Sequence, residues 1–230
     1  MNFFIYSIIR IFNRLYLYMF NYIHKLHKKY IQNKFEYSHA GQDIFALNLI
    51  GKNGTYIEIG AYLPVKNSNT YLLEVNNNWR GFSIELNKDY HTYWKKNKNR
   101  NNPIYFENAL LVDYRKKIIE NKLPMHINYL SCDIDPASNT FLALKTVINA
   151  GISFDFISFE HDDYWVKNYT NDKNDYHKLA IDFLSKNNYK IAIDDIYPKN
   201  KPKKIFETWF VNNSIDFIST DYVSWKKKNL

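Results

Sequence analysis

Seven short apolar runs recur along the chain with helical stretches between them, and this alternation restricts the fold more than any single residue does. The runs are "TYIEIG" (55–60), "GFSIEL" (81–86), "PIYFENA" (103–109), "INYLSCDI" (127–134), "FDFISFE" (154–160), "YKIAIDDI" (189–196) and "FETWFV" (206–211). Helical periodicity occupies 67–78, 88–98, 138–150 and 173–187. Ser38 and Gly51 bracket a further short helix carrying Ile44, Phe45, Leu47 and Leu49. Strands alternating with helices at this spacing build βαβ units, so the expected sheet is seven-stranded and largely parallel, with helices on both faces. Ligands of such sheets bind outside the carboxyl ends of the strands.

At 230 residues, 46% of them hydrophobic, the chain can bury one substantial core. Its net charge of +8 comes from scattered lysines and short clusters such as "KPKK" (201–204) and "KKK" (226–228), which read as solvated surface. The 20 tyrosines and 16 phenylalanines follow core periodicity instead of interleaving with a basic face, so a nucleic-acid partner is not expected. Cys132 is the single cysteine. It excludes an intramolecular disulfide and a cysteine zinc cluster, and fits a reducing, cytoplasmic setting.

Residues 1–37 differ from the rest and read as an extension to a domain spanning 38–230. Phe4, Ile8, Ile11, Phe12, Leu15, Met19, Ile23, Leu26 and Tyr30 recur at three- and four-residue steps, opposite Arg10, Arg14, Asn21, Lys25 and Lys28. Arg10 and Arg14 interrupt the run before it reaches the ~20 apolar residues of a membrane span. The pattern suits an amphipathic helix, lying on an anionic membrane surface at the cytoplasmic face or packed on protein.

Polar residues gather where the strands finish. Glu58 and Gly60 end the first, Glu85 and Asn87 the second, Glu107 and Asn108 the third, Asp133 and Asp135 the fourth, and Glu160, His161 and Asp162 the fifth. At any one strand the simplest reading is a solvated or capping residue; five in succession point to a site. Gly60 permits a tight turn and close approach of a ligand, and a carboxylate such as Glu85 can accept hydrogen bonds from both hydroxyls of a ribose. The turn "GAYLPV" lacks the G-x-G-x-x-G pattern of nicotinamide enzymes, and no phosphate-binding Gly-Lys-Ser/Thr loop is present. S-adenosylmethionine carries no phosphate, which makes a methyltransferase-like site the best fit.

In order and spacing, "YIEIGAYLP", "WRGFSIELN", "FENALLVDY", "YLSCDIDP" and "FISFEHDDY", preceded by "SHAGQD", resemble the FkbM-type methyltransferases from about Ser38 to Trp209. The resemblance implies a Rossmann-like class I methyltransferase fold, S-adenosylmethionine as donor, and a sugar or small-molecule hydroxyl as acceptor. It implies that Glu58 and Gly60, Ala61 and Tyr62 contact the methionine part and that Glu85, with Leu86 beside it, contacts the ribose. Asn108, Ala109 and Leu110 would flank the adenine, and Gln42 and Asp43 would close over the cofactor. Two positions depart from the pattern: His39 stands where the family has Gln, and Tyr62 to Pro64 replaces a more usual Asp-Gly.

Methyl transfer is an in-line displacement, so the protein chiefly aligns the acceptor oxygen and takes its proton. His161 is the expected base, with Asp133 and Asp162 as alternatives. Asp133, Asp135, Glu160 and Asp162 also make an oxygen-rich group of the kind that suits a divalent cation. "DID" (133–135) matches the permissive Asp-x-Asp pattern of metal-dependent glycosyltransferases, which would leave Glu58, Gly60 and Glu85 idle. A non-catalytic membrane-associated or nucleic-acid-binding module on the same fold is the remaining alternative. The acceptor pocket is expected in the irregular segments 97–102, 112–126 and 163–175.

Overall fold

The computed structural model of the protein describes residues 37–198, 201 and 204–230; the amphipathic helix expected over 1–37 lies, Tyr37 apart, outside the described residues. The strands are β1 (Thr55–Ile59), β2 (Arg80–Ile84), β3 (Ile104–Tyr105), β4 (His126–Cys132), β5 (Ser153–Glu160), β6 (Tyr189–Ile196) and β7 (Glu207–Asn212). The helices are α1 (Gln42–Ile50), α2 (Tyr71–Asn77), α3 (His91–Lys96), α4 (Tyr114–Glu120), α5 (Ala137–Asn149), α6 (Asp163–Tyr169), α7 (Tyr176–Lys186) and α8 (Tyr222–Asn229).

The sheet runs β3-β2-β1-β4-β5-β7-β6. All pairings are parallel except those of β7, which runs antiparallel to both β5 and β6. The chain winds outward from β1 through β2 to β3, then restarts at β4 on the other side of β1. This reversal leaves a crevice at the carboxyl ends of β1 and β4, where a ligand site belongs.

Every residue of β1 is buried, because helices cover both faces of the sheet. Ile57, Ile59, Leu130, Ile157 and Phe159 point to one face, beneath Ala143, Leu144 and Val147 of α5 and Ala180 and Leu184 of α7. Tyr56, Tyr129, Phe156 and Trp209 point to the other, where Phe45 of α1 and Trp225 of α8 pack on them. Period-two alternation thus places Glu58 on the α1 side, a fact that governs its role.

The expected strands lie within two residues of those observed, except the third, which shortens to Ile104–Tyr105 before the turn at Asn108–Leu111. Two segments expected as irregular contain helices, α4 and α6, each too short to show periodicity. Gly41, at φ 94°, begins α1 in place of the expected Ser38, while Gly51 ends it as expected, donating its N–H to Leu47 O.

Candidate functional site

The crevice is lined by one register row. Gly60 follows β1, Asp133 follows β4, and Glu160 pairs with Glu207 across β5 and β7. Gly60, at φ 85°, packs so closely on β4 that a side chain there would lie 1.5 Å from the Asp133 carbonyl oxygen. Only glycine allows both that conformation and that approach. The N–H groups of Gly60 and Ala61 both donate to Ile84 O, which turns the chain sharply over the end of β2.

Glu85 stabilises this turn. One carboxylate oxygen accepts the Tyr62 N–H at 2.7 Å, and the other accepts the Asn87 N–H at 2.7 Å. Tyr62 adopts φ 48°, and its carbonyl accepts the Trp94 indole N–H at 2.9 Å. Each Glu85 oxygen keeps a second lone pair for another donor. Leu86 and Asn108 are exposed, Leu110 is half-buried, and Ala109 is packed in the core.

Glu58 is placed elsewhere than the sequence reading put it. It is 2% exposed, accepts the Ser83 hydroxyl at 2.7 Å, and lies 3.6 Å from the Arg100 guanidinium. Arg100 reaches in from the segment before β3, which the sequence reading assigned to an acceptor loop. Its guanidinium donates to Glu74, Tyr56, Thr70, Ser68 and the Pro64 carbonyl, tying the turn after Gly60 to α2. Burial raises the Glu58 carboxyl and Arg100 counteracts it. Glu58 is therefore a structural acid in a buried ion-pair network.

Asp133, Glu160 and Asp162 do converge. All three are half-buried at the strand ends, where the Glu160 carboxyl shares a proton with those of Asp133 and Asp162. Burial is the main reason their carboxyls rise, Asp133 to about 6 and Glu160 well above its usual range, with mutual repulsion adding to it. Glu160 thus holds a proton that it shares with its neighbours, while Asp133 is poised to ionise near neutral pH. No group of three or more His, Cys, Asp or Glu among the described residues is arranged to hold a metal ion.

His161 does not face the crevice. It is 1% exposed; its Nδ1 accepts the Asp163 N–H at 3.2 Å and its Nε2 lies 3.2 Å from the Thr208 hydroxyl. The ring stacks on His177 with centroids 4.6 Å apart. Burial lowers its pKa to about 3, so it stays neutral. Both nitrogens are engaged, which removes it as the base. The Thr208 hydroxyl donates to Asp194 at 2.6 Å, and His177 bonds the same oxygen at 2.9 Å.

Gln42 and Asp43 are both buried at the start of α1. The Gln42 amide donates to Glu207 at 2.6 Å, and its oxygen accepts the Ala40 N–H. Asp43 accepts from the Ser38 hydroxyl and the Ile44 N–H through one oxygen, while its other oxygen is buried without a partner. Burial lifts the Asp43 carboxyl to about 7 and that of Glu207 to about 8. Glu207 also accepts the Trp209 indole N–H at 2.7 Å. The sequence reading missed Arg100, Glu207, Thr208, His177 and Asp194. Glu207 carried one signal, a carboxylate inside an apolar run, as in "YIEIG".

No family model matches the sequence, and no curated protein matches it. Solved structures do. A candidate hemolysin from Streptococcus thermophilus aligns over 84% of this chain and 75% of its own, with a TM-score of 0.51 and 12% identity. Fibrillarin from Aeropyrum pernix, solved with S-adenosyl-L-methionine, aligns over 74% of this chain and 73% of its own, with a TM-score of 0.47 and 14% identity. A candidate rRNA methylase from Clostridium thermocellum covers 77% of this chain and 97% of its own, at a TM-score of 0.48 and 10% identity. The fold is Rossmann-like. At these identities the likeness is one of fold alone. No helix among the described residues is long and apolar enough to cross a membrane.

Proposed function

We propose that this chain is an S-adenosylmethionine-dependent methyltransferase of the FkbM type, acting on a hydroxyl of a sugar or small molecule. The observation that carries the reading is the Glu85 carboxylate at the β1/β4 crevice, held by the Tyr62 and Asn87 N–H groups beside the close-packed Gly60 turn. Its remaining lone pairs suit the two hydroxyls of a ribose, and no glycine-rich cradle for a pyrophosphate accompanies it.

The donor set fits the cofactor. Bound there, S-adenosylmethionine would supply the methyl group on a sulfonium, and the uncompensated acids Asp133, Glu160 and Asp162 favour a ligand that carries positive charge. Gly60, Ala61 and Tyr62 would hold the methionine part, Leu86, Asn108 and Leu110 the adenine. Gln42 and Asp43, at the start of α1, would close over the cofactor. Asp133, with Asp162 beside it, accepts the acceptor's proton in place of His161. The half-buried setting that lifts Asp133 to about 6 leaves it ionised at neutral pH yet basic enough to serve.

Calorimetry with S-adenosylhomocysteine tests the reading. Saturable binding by the full chain is expected, with affinity lowered roughly 10- to 100-fold in Glu85→Ala, the loss typical of hydrogen bonds to a charged group. Absence of binding to the unaltered chain would overturn the methyltransferase reading. Normal binding by Glu85→Ala would overturn the ribose role alone.

A further inference from the structure

A pocket of about 420 Å³ opens between α1 and α8, and none of its lining residues belongs to the crevice. Its walls are Phe45 and Leu49 of α1, Phe217 and Ile218 of the segment before α8, and Trp225. The size and apolar lining are those of a small-molecule site. The floor is firm, because the Phe45 ring packs against Phe156, Trp209, Phe217 and Trp225 at once. One flank is closed by the bond from Asn48 to Asn229 at 3.0 Å.

Two features of the mouth indicate what enters. Ile218, at the pocket wall, is 88% exposed, an apolar rim with no covering element among the described residues. Lys228 lines the pocket one turn beyond Ser224 and is exposed. Asp221, the acid that begins α8, has its carboxylate committed to the Ser224 N–H at 2.8 Å. An apolar hollow with an ammonium group at its lip complements a molecule that is apolar at one end and acidic at the other.

We infer that this pocket binds one molecule of an anionic amphiphile, its chain between α1 and α8 and its phosphate or carboxylate head on Lys228. The site is independent of the cofactor crevice and of the methyltransferase reading.

The test is titration of the full chain with dodecyl phosphate below its micelle concentration, followed by calorimetry and tryptophan emission. One-to-one saturation is expected. Ile218→Asp and Lys228→Glu, both at exposed positions, should each weaken it by about tenfold or more while leaving the unfolding midpoint and S-adenosylhomocysteine binding unchanged. Equal binding of dodecanol would overturn the head-group role, and equal binding of inorganic phosphate would overturn the pocket. Binding to phosphatidylglycerol vesicles without saturable binding of the free amphiphile would assign Lys228 to a bilayer surface and overturn the proposal. Unaltered affinity in both variants would do the same.

Discussion

Glu58 and Asp133 belong to adjacent strands and the same face of one sheet, two register positions apart, and the fold treats them oppositely. Glu58, two positions inside, is sealed from water and matched by Arg100, with Ser83 and Ser68 completing its shell. Asp133, at the rim, meets Glu160 and Asp162, and no ion pair joins these three to a cation among the described residues. A buried charge left unmatched is expensive, so the inner row carries its cation with it. The rim manages the same cost by sharing a proton, which leaves a group that can take up another. Depth along the strand thus separates an acid matched by a cation from one that shares a proton with its neighbours.

Removing the cation should break the inner row first and hardest. Arg100→Met leaves Glu58 and Glu74 buried and unpaired, and a loss of about 3–5 kcal/mol is expected in urea unfolding. Adding Glu58→Gln should recover part of that loss, since an amide needs no counter-charge. A cost below about 1 kcal/mol for Arg100→Met would show that the network carries little weight.

The rim should respond in activity and not in stability. Asp133→Asn is expected to lower turnover roughly 100-fold or more while the unfolding midpoint holds or rises. The pH dependences should run in opposite directions. Turnover rises as Asp133 ionises through about pH 6. Stability does the reverse: Asp133 and Glu207 have folded pKa values raised to about 6 and about 8, so the folded state holds their protons more tightly. Their stabilisation is full below the unfolded values of 3.8 and 4.5 and is lost as pH climbs through the raised ones. Thermal unfolding from pH 4 to 9 measures this, and Glu207→Gln should flatten the upper part. Turnover independent of pH between 5 and 7 would remove Asp133 as the base.

The same depth rule explains what the sequence could reveal. The strands were readable because parallel strands buried on both faces leave continuous apolar runs, and the sharp turn at Gly60 and the position of Glu85 followed from the strand ends. What separates Glu58 from Asp133 is register, which depends on which strands become neighbours. Arg100 sits in the asparagine-rich "KNKNRNNP" and looks like loop; its partners are 26 to 44 residues away, and no local pattern foretells them. His161 seemed to share the fate of Asp162 because they adjoin in sequence. Its ring turns instead toward Thr208, 47 residues on.

The smallest expected effect comes from a third arrangement, a charge pair at the periphery. His177 and Asp194 meet at 2.9 Å with both side chains partly exposed, where solvent weakens the pair. Their hydrogen bond is the first cause that raises His177 above its ordinary 6.5; on Asp194, burial alone would push the carboxyl up, but the bonds from His177 and Thr208 hold it down at about 2. A raised folded pKa means that the stabilisation from protonated His177 is full below the unfolded value and lost as pH rises through the raised one. His177→Ala should therefore cost about 1 kcal/mol or less at pH 6, and the gap to the unaltered chain should narrow by pH 9. His161, held neutral at about 3, does not titrate in this window, so the change in the gap reports His177 alone. A gap of constant size across that range would mean that the stacked rings stabilise α7 by packing, and that only the inner row depends on matched charge.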